Sequence, residues 1–171
     1  MIEKAIQFAE KKHRNQKRKL SGDPYIVHPI SVAKIIRENK ESHKVNDLIA
    51  AAFLHDALED TDTTEQELRK NFGNLITSLV KELTTDKKET KEKGKKEYLA
   101  EKMSDPKKMS SWALAIKLAD RLDNVSDLKQ QSKEFRKKYT QETKYILKSL
   151  KKRKLSQTQK KLIKQIKKHL R

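Results

Sequence analysis

An apolar run at residues 48–54, Leu-Ile-Ala-Ala-Ala-Phe-Leu, restricts the fold of this chain more than any other feature of its sequence. We predict that it belongs to a buried helix extending over residues 45–59. Four polar groups follow the run at once: His55, Asp56, Glu59 and Asp60. Such groups are costly to bury without partners, and on a helix the first and third, like the second and fourth, lie on the same side. This arrangement indicates a divalent metal ion as their partner.

The composition predicts that the whole chain is helical. It has 171 residues but only 3 Gly and 3 Pro, and Leu, Ala, Lys and Glu recur at helical spacings without any strand pattern. We therefore predict an all-α fold, with one domain at residues 1–150 and a basic helix or tail at residues 151–171 packed on it. Cys is absent, so any metal ion must be held by His and carboxylate groups. Because no apolar stretch could span a membrane and no signal peptide is recognisable, we expect a cytoplasmic protein.

Capping and turn residues predict where the first helices begin and end. Pro29 is expected to be the first residue of a helix that continues to about Asn39, which places His28 just before its start. Thr64 has the sequence context of an N-cap, and the short helix that it opens is expected to stop near Gly73.

Two later segments differ sharply in character. Residues 84–102 are mostly Lys, Glu and Thr without an apolar stripe, and we predict either a solvated helix or a mobile segment there. A second buried helix is expected from residue 110 to about residue 128. Asp120 follows the apolar part of this helix and lies four residues before Asn124, so this helix also presents polar groups next to a core-facing stripe.

A metal site without Cys needs three or four nitrogen and oxygen ligands from separate elements. His28, the His55–Asp56 pair and Asp120 offer such a set. Each has an ordinary alternative as a turn residue, a core histidine or a helix-surface charge, but two apolar helices that both end in such groups favour a functional site. The other histidines have Lys-rich neighbours and are expected at the surface: His13, His43 and His169.

Five motifs occur in a fixed order between residue 1 and about residue 128. They are Gln-Lys-Arg-Lys at 16–19, Pro-Tyr-Ile-Val-His-Pro at 24–29, Ala-Ala-Phe-Leu-His-Asp-Ala-Leu-Glu-Asp-Thr at 51–61, Phe-Gly at 72–73 and Lys-Leu-Ala-Asp-Arg-Leu-Asp-Asn at 117–124. In order and spacing they resemble the HD-superfamily hydrolase domain of Rel/Spo-type enzymes, and most closely the stand-alone small alarmone hydrolases. This match is much more specific than a single His-Asp pair.

The resemblance implies an HD-domain helical bundle with a single buried metal site that holds Mn²⁺. The implied metal ligands are His28, His55, Asp56 and Asp120. The implied catalytic acidic pair is Glu59 and Asp60, and the implied substrate-binding residues are Arg18, Lys19 and Asn124. The reaction of the family removes pyrophosphate from the 3′ position of the guanosine tetra- or pentaphosphate alarmones of the stringent response, ppGpp and pppGpp, and gives GDP or GTP.

The sequence departs from the family where substrate contacts are expected. Four residues, 20–23, separate the basic pair from the Pro-Tyr motif, one more than we expect in the long bifunctional enzymes. Asp123 and Asp127 stand where His, Tyr or a neutral residue is expected, and a carboxylate facing a polyphosphate would repel it. An HD phosphohydrolase acting on another nucleotide or dinucleotide phosphate is therefore the alternative. The chain is too short for a synthetase domain, so we expect hydrolysis alone.

The C-terminal segment indicates a third function class. Residues 145–171 contain 11 Lys and Arg residues and no Asp or Glu, so an anionic partner is indicated. A nucleic-acid-binding module would explain this charge but would leave residues 28–124 without a role, and we do not favour it. The ordinary explanation is a solvated helix face covered with Lys. The sequence leaves the oligomeric state open.

Overall fold

The computed structural model describes residues 1–18 and 21–171. Over these residues the chain forms ten α-helices and two 3₁₀ turns, with no β-strand, which confirms the predicted all-α class. The chain divides into two compact units, Met1–Thr84 and Thr85–Arg171. None of the described helices is both long enough and apolar enough to cross a membrane.

The first unit is built around one short buried helix. Its helices are α1 (Ile2–Lys12), α2 (Val27–Asn39), α3 (Val45–Phe53), α4 (Ala57–Asp60) and α5 (Glu65–Leu83). Every residue of α3 from Leu48 to Phe53 is buried, and α1, α2 and α5 pack around this helix. The apolar run therefore lies in the core as predicted.

The predicted helix over residues 45–59 is wrong in one respect, because it is interrupted. Helix α3 ends at Phe53, and α4 begins only at Ala57. The ring nitrogen Nδ1 of His55 lies 2.8 Å from the carbonyl oxygen of Ala52. A carbonyl can only accept, so the imidazole donates and occupies the carbonyl that a continuous helix would offer to the amide of Asp56. The histidine side chain thus replaces a main-chain hydrogen bond at the point where the helix stops.

The start of α2 also differs from the prediction. The helix begins at Val27, so Pro29 is its third residue and His28 lies inside the first turn. The amide of Val27 bonds to the carbonyl of Pro24 at 3.2 Å, and the amide of His28 bonds to that of Tyr25 at 3.0 Å. Proline is tolerated at this position because the first amides of a helix have no acceptor within the helix.

Gly73 interrupts α5 as expected. Its backbone has φ 77° and ψ 177°, a positive φ that favours glycine, and the chain resumes a helical course after it. At the start of α5 the side chain of Thr64 accepts a hydrogen bond from the amide of Glu67, as its N-cap context predicts.

The second unit contains the remaining helices. They are α6 (Lys87–Lys93), α7 (Lys95–Ser104), α8 (Ser111–Ser126), α9 (Lys133–Ser149) and α10 (Gln157–His169), with 3₁₀ turns at Leu128–Gln130 and Leu150–Lys152. Helix α8 is the most buried of them, α10 packs against it, and α7 packs against α9. The Lys-rich stretch at residues 84–102 is mostly helical. Contrary to expectation α7 has an apolar stripe, because Tyr98, Leu99, Ala100 and Met103 are buried.

The basic C-terminal segment forms α10. A capping box between Ser156 and Gln159 starts this helix, and Leu162 and Ile166 are buried on one side of it. The lysines of α10 are exposed. The helix is therefore strongly amphipathic, with a lysine face turned to solvent.

Candidate metal centre and active site

Three predicted metal ligands meet in the first unit. His28 comes from the first turn of α2, and His55 and Asp56 come from the turn between α3 and α4. One ligand atom from each of the three lies within 4.8 Å of the others. The Nε2 atom of His55 is 2.9 Å from Oδ2 of Asp56, and Nε2 of His28 is 3.9 Å from the same oxygen.

The chemistry of this cluster fits a divalent cation. His28 and His55 are only 4% and 1% exposed. Because Nδ1 of His55 donates to the Ala52 carbonyl, Nε2 is the ring nitrogen that faces the Asp56 carboxylate and that would bind a metal ion. A cation beside these two atoms, which lie 2.9 Å apart, would contact both the imidazole nitrogen and the carboxylate. Two imidazoles and one carboxylate are an appropriate donor set for such an ion, and the carbonyl bond on Nδ1 orients the ring.

Tyr25 is a site residue that the sequence analysis did not identify. Its hydroxyl donates a hydrogen bond to Oδ2 of Asp56, and its ring centroid lies 5.9 Å from that of His28. The tyrosine lies inside one of the five motifs. Its place in that motif was the only sequence signal, because nothing local relates residue 25 to residue 56.

His13 is buried, so the prediction of a surface position is wrong. Only 2% of it is exposed, and its ring centroid lies 4.8 Å from that of Tyr25. The amide of His13 still bonds to the carbonyl of Ala9, four residues earlier, and Ala5 and Ala9 form the buried face of α1. His13 continues that face, a periodicity that its Lys-rich neighbours masked. His43 and His169 are exposed, as predicted.

Gln16 connects two parts of the site. Its side-chain Nε2 donates to the carbonyl oxygen of Asp60 at 2.6 Å, and its main-chain carbonyl accepts from the amide of Tyr25 at 2.9 Å. Next along the chain, Lys17 and Pro24 form an isolated antiparallel β-bridge. The amide of Arg18 donates to the carbonyl of Asp23 at 2.8 Å. Arg18 therefore stands on a loop that is closed at its base by Gln16. Lys19, predicted to bind substrate, lies outside the described residues.

The predicted catalytic carboxylates lie on α4. Glu59 is partly exposed and Asp60 is exposed. The amide of Asp60 bonds to the carbonyl of Asp56 at 2.9 Å, so the four-residue spacing of these two aspartates is helical as predicted, although His55 lies before the helix. The catalytic role of Glu59 and Asp60 stays a prediction.

Asp120 and Asn124 belong to the second unit. Asp120 is 8% exposed on α8, with Nζ of Lys117 at 2.9 Å from Oδ2 and Nδ2 of Asn124 donating to Oδ1 at 2.7 Å. The predicted pair with four-residue spacing therefore exists as a direct hydrogen bond. The roles of Asp120 as a metal ligand and of Asn124 as a substrate contact stay predictions.

A buried ion pair, unforeseen in the sequence, lies next to Asp120 in the chain. The guanidinium of Arg121 is 3.0 Å from both Glu142 and the hydroxyl of Thr143, and it stacks over the ring of Tyr139 at 4.8 Å. Desolvation raises the pKa of the Tyr139 hydroxyl to about 12, although the nearby guanidinium acts in the opposite direction. These contacts join α9 to α8 within the second unit.

The family model for the HD domain matches residues 5–155 of the chain. The chain belongs to the HD domain family. Its resemblance to the alarmone hydrolases, stated above from five motifs, is confirmed by curated relatives and by a solved structure.

Two curated relatives show how much of the HD domain protein is shared. It is 41% identical over 148 residues to guanosine-3′,5′-bis(diphosphate) 3′-pyrophosphohydrolase of Aquifex aeolicus, which covers 83% of this chain but only 20% of the relative. It is 41% identical over 127 residues to the Homo sapiens guanosine-3′,5′-bis(diphosphate) 3′-pyrophosphohydrolase MESH1, covering 72% of this chain and 67% of the relative. The chain thus corresponds to a fraction of the bacterial protein.

A solved structure is similar over nearly the full length of the HD domain protein. It is described as a metazoan ortholog of SpoT that hydrolyzes ppGpp and plays a role in starvation responses. The TM-score is 0.77 at 32% sequence identity, and the alignment covers 98% of this chain and 94% of that chain.

Proposed function

We propose that this HD domain protein is a Mn²⁺-dependent phosphohydrolase that removes pyrophosphate from the 3′ position of ppGpp or pppGpp. The observation that carries the proposal is the cluster of His28, His55 and Asp56, with both histidines buried, in a chain 41% identical to pyrophosphohydrolases named for this substrate. The similar metazoan structure, described as hydrolyzing ppGpp, supports the same substrate.

The metal would be held by His28, His55 and Asp56, and the resemblance adds Asp120 as the fourth ligand. When bound, the ion would polarise the phosphoryl group and lower the pKa of water. The described ligands are nitrogen and oxygen atoms, a donor set that several divalent metals accept, and Mn²⁺ is proposed on the family resemblance. Tyr25 would orient the Asp56 carboxylate through its hydrogen bond to Oδ2.

The proton transfers would fall to Glu59 and Asp60. Both carboxylates lie on α4, which follows Asp56 directly, so they stand within one helical turn of a predicted ligand. Together they would orient the attacking water, accept its proton and return a proton to the departing 3′ oxygen of the nucleoside diphosphate or triphosphate. The bond that breaks joins the 3′ oxygen to the pyrophosphate, and water supplies the oxygen that pyrophosphate gains.

Two cationic side chains and one neutral amide would bind the nucleotide. Arg18 and Lys19 would neutralise phosphate charge or stack on the base, and Asn124 would bond to the sugar or phosphate region. The alternative substrate is another nucleotide or dinucleotide phosphate, and it is favoured by the extra residue in the 20–23 interval, which would border the base.

Product analysis tests this proposal directly. The purified protein is incubated with Mn²⁺ and a panel of guanosine and adenosine nucleotides that carry phosphates at the 3′ or 5′ position. Release of pyrophosphate with GDP from ppGpp, and with GTP from pppGpp, is expected, and His55→Ala serves as the inactive control. Faster hydrolysis of an adenosine nucleotide or of a 5′ phosphate would support the alternative substrate class. No hydrolysis of any nucleotide by metal-loaded protein would contradict both.

A further inference from the structure

Helix α4 is too short to hold its own position. It has four residues, Ala57–Asp60, and a single helical turn is unstable without external support. The last carbonyls of any helix also lack amide donors within the helix. The positions of the Glu59 and Asp60 carboxylates therefore depend on the contacts that α4 makes with surrounding residues.

Gln16 supplies one of these contacts. Its Nε2 donates to the carbonyl oxygen of Asp60, the last residue of α4, at 2.6 Å. Gln16 lies 44 residues before Asp60, so this bond joins two distant segments of the first unit. At the other end of α4, the hydroxyl of Tyr25 donates to Asp56, and the amide of Tyr25 is bound by the carbonyl of Gln16. One glutamine thus connects both ends of α4.

The partners of Gln16 define how its amide is turned. The Asp60 carbonyl can only accept, so the NH₂ group of Gln16 faces it and Oε1 faces Nδ1 of His13 at 2.7 Å. His13 must then carry its hydrogen on Nδ1. Its other ring nitrogen, Nε2, is buried and has no hydrogen-bond partner among the described residues. Among the described residues, the hydrogen bond to Gln16 is therefore the one that the buried His13 ring makes. Its effect is to fix the orientation of the Gln16 side-chain amide.

We propose that Gln16 is a positioning residue that holds α4 and the base of the Arg18 loop in one arrangement, with His13 fixing its amide. The inference rests on the proposed function for the roles of Glu59 and Asp60, but the bonds themselves do not. Loss of the Asp60 contact leaves the three metal-binding side chains in place and frees the end of α4. The rate falls while substrate and metal binding persist, because displacements of about 1 Å at reacting groups can cost up to about 100-fold in rate.

The substitution Gln16→Glu tests this with little change in shape. The carboxylate can still accept from His13 but has no hydrogen to donate to the Asp60 carbonyl. Asn15→Asp is the matched control, since it adds the same charge at the neighbouring exposed position. For Gln16→Glu we expect kcat for ppGpp to fall about 10–100-fold with KM within about twofold, and with stoichiometric Mn²⁺ retained. Asn15→Asp is expected to leave all three unchanged.

Hydrogen exchange gives a readout that needs no substrate. In Gln16→Glu the amides of residues 57–62 are expected to exchange faster, while those of the buried helix α3 keep their protection. His13→Leu is expected to produce a smaller effect of the same kind, and the double variant is expected to be no worse than Gln16→Glu alone.

Three outcomes would overturn the proposal. They are unchanged exchange in α4, a kcat for Gln16→Glu equal to that of Asn15→Asp, or loss of metal together with faster exchange throughout the first unit. If the unsubstituted protein does not hydrolyse ppGpp, the proposed function fails, and the exchange experiment still decides whether Gln16 holds α4.

Discussion

The hydroxyl of Tyr25 donates to the same Asp56 oxygen that lies 2.9 Å from Nε2 of His55. One carboxylate oxygen thus faces a phenol and an imidazole, and the hydrogen bond from the phenol orients the carboxylate. Groups of this kind that bond to a metal ligand influence metal affinity without touching the ion.

Tyr25→Phe is expected to weaken Mn²⁺ binding by about 10–100-fold, because the Asp56 carboxylate loses the hydrogen bond that orients it. The binding constant is measured by titrating metal-free protein with Mn²⁺. Tyr145→Phe is the control, since Tyr145 is exposed in the second unit. Equal Mn²⁺ affinities in the two variants would show that Tyr25 does not contribute to metal binding.

His55→Ala is expected to abolish both stoichiometric metal and turnover. The gain in thermal stability on adding Mn²⁺ should disappear with them, since a ligand at about 100 times its Kd stabilises the folded state by about 2.7 kcal/mol. Metal content and melting temperature are measured with and without Mn²⁺. His43→Ala, at an exposed position, is the control. Full activity in a demonstrably metal-free sample would end the metal hypothesis.

Asp120→Ala tests whether Asp120 is a fourth ligand in addition to the three residues that the structure brings together. We expect loss of metal and turnover, as in His55→Ala. Asn124→Ala removes the side chain that bonds to Asp120, and it is expected to raise KM and to weaken Mn²⁺ binding by about 10–100-fold without abolishing it. If Asp120→Ala binds one Mn²⁺ with normal affinity, Asp120 is not a ligand.

Glu59→Gln and Asp60→Asn are expected to retain metal and nucleotide binding while the rate collapses. General acid and base groups contribute about 10²–10⁴-fold, and two residues that act on the same water should give a double variant little worse than the poorer single one. Metal content, nucleotide affinity and kcat are measured for all three. Loss of metal in Glu59→Gln would make Glu59 a ligand, and undiminished turnover in both would exclude the pair from catalysis.

Deletion of residues 151–171 is expected to lower thermal stability but leave metal-dependent turnover measurable at low temperature. The deletion removes Arg153, which donates to the carbonyls of Met103 and Met109, and it uncovers the surface that Leu162 and Ile166 bury. The competing prediction for a nucleic-acid-binding segment is an affinity for DNA or RNA that falls steeply with salt and is lost on deletion. Weak binding by the intact protein with a flat salt dependence would contradict that alternative.

Glu101 predicts an acid-range dependence of stability. The neighbouring ammonium groups of Lys108 and Lys93 lower the pKa of its carboxyl from 4.5 to about 2. Because the folded state holds the proton less tightly than the unfolded state, this group stabilises the fold above pH 4.5, and its contribution is lost as the pH falls towards 2. In Glu101→Gln, the free energy of unfolding, measured at low salt, should depend less on pH over that range. The difference should shrink at high salt, since these groups are exposed.

The sequence by itself determined the helical class, and it predicted the three residues His28, His55 and Asp56 that the structure brings together. Period and composition are local properties, so the burial of the apolar run at residues 48–54 and the break at Gly73 were predictable. The same holds for the ligand types, because without Cys only His and carboxylate groups could bind the ion. The order of the five motifs then identified the family.

Only the tertiary structure decided how the site is held. At the interruption after Phe53, the side chain of His55 bonds to the carbonyl of Ala52. Such a bond competes with the main-chain hydrogen bonds of the helix, and hydrophobic periodicity does not predict it. The bonds from Tyr25 to Asp56 and from Gln16 to Asp60 join segments far apart in the chain. Such contacts arise when packing brings distant surfaces together, so no local pattern in the sequence contains them.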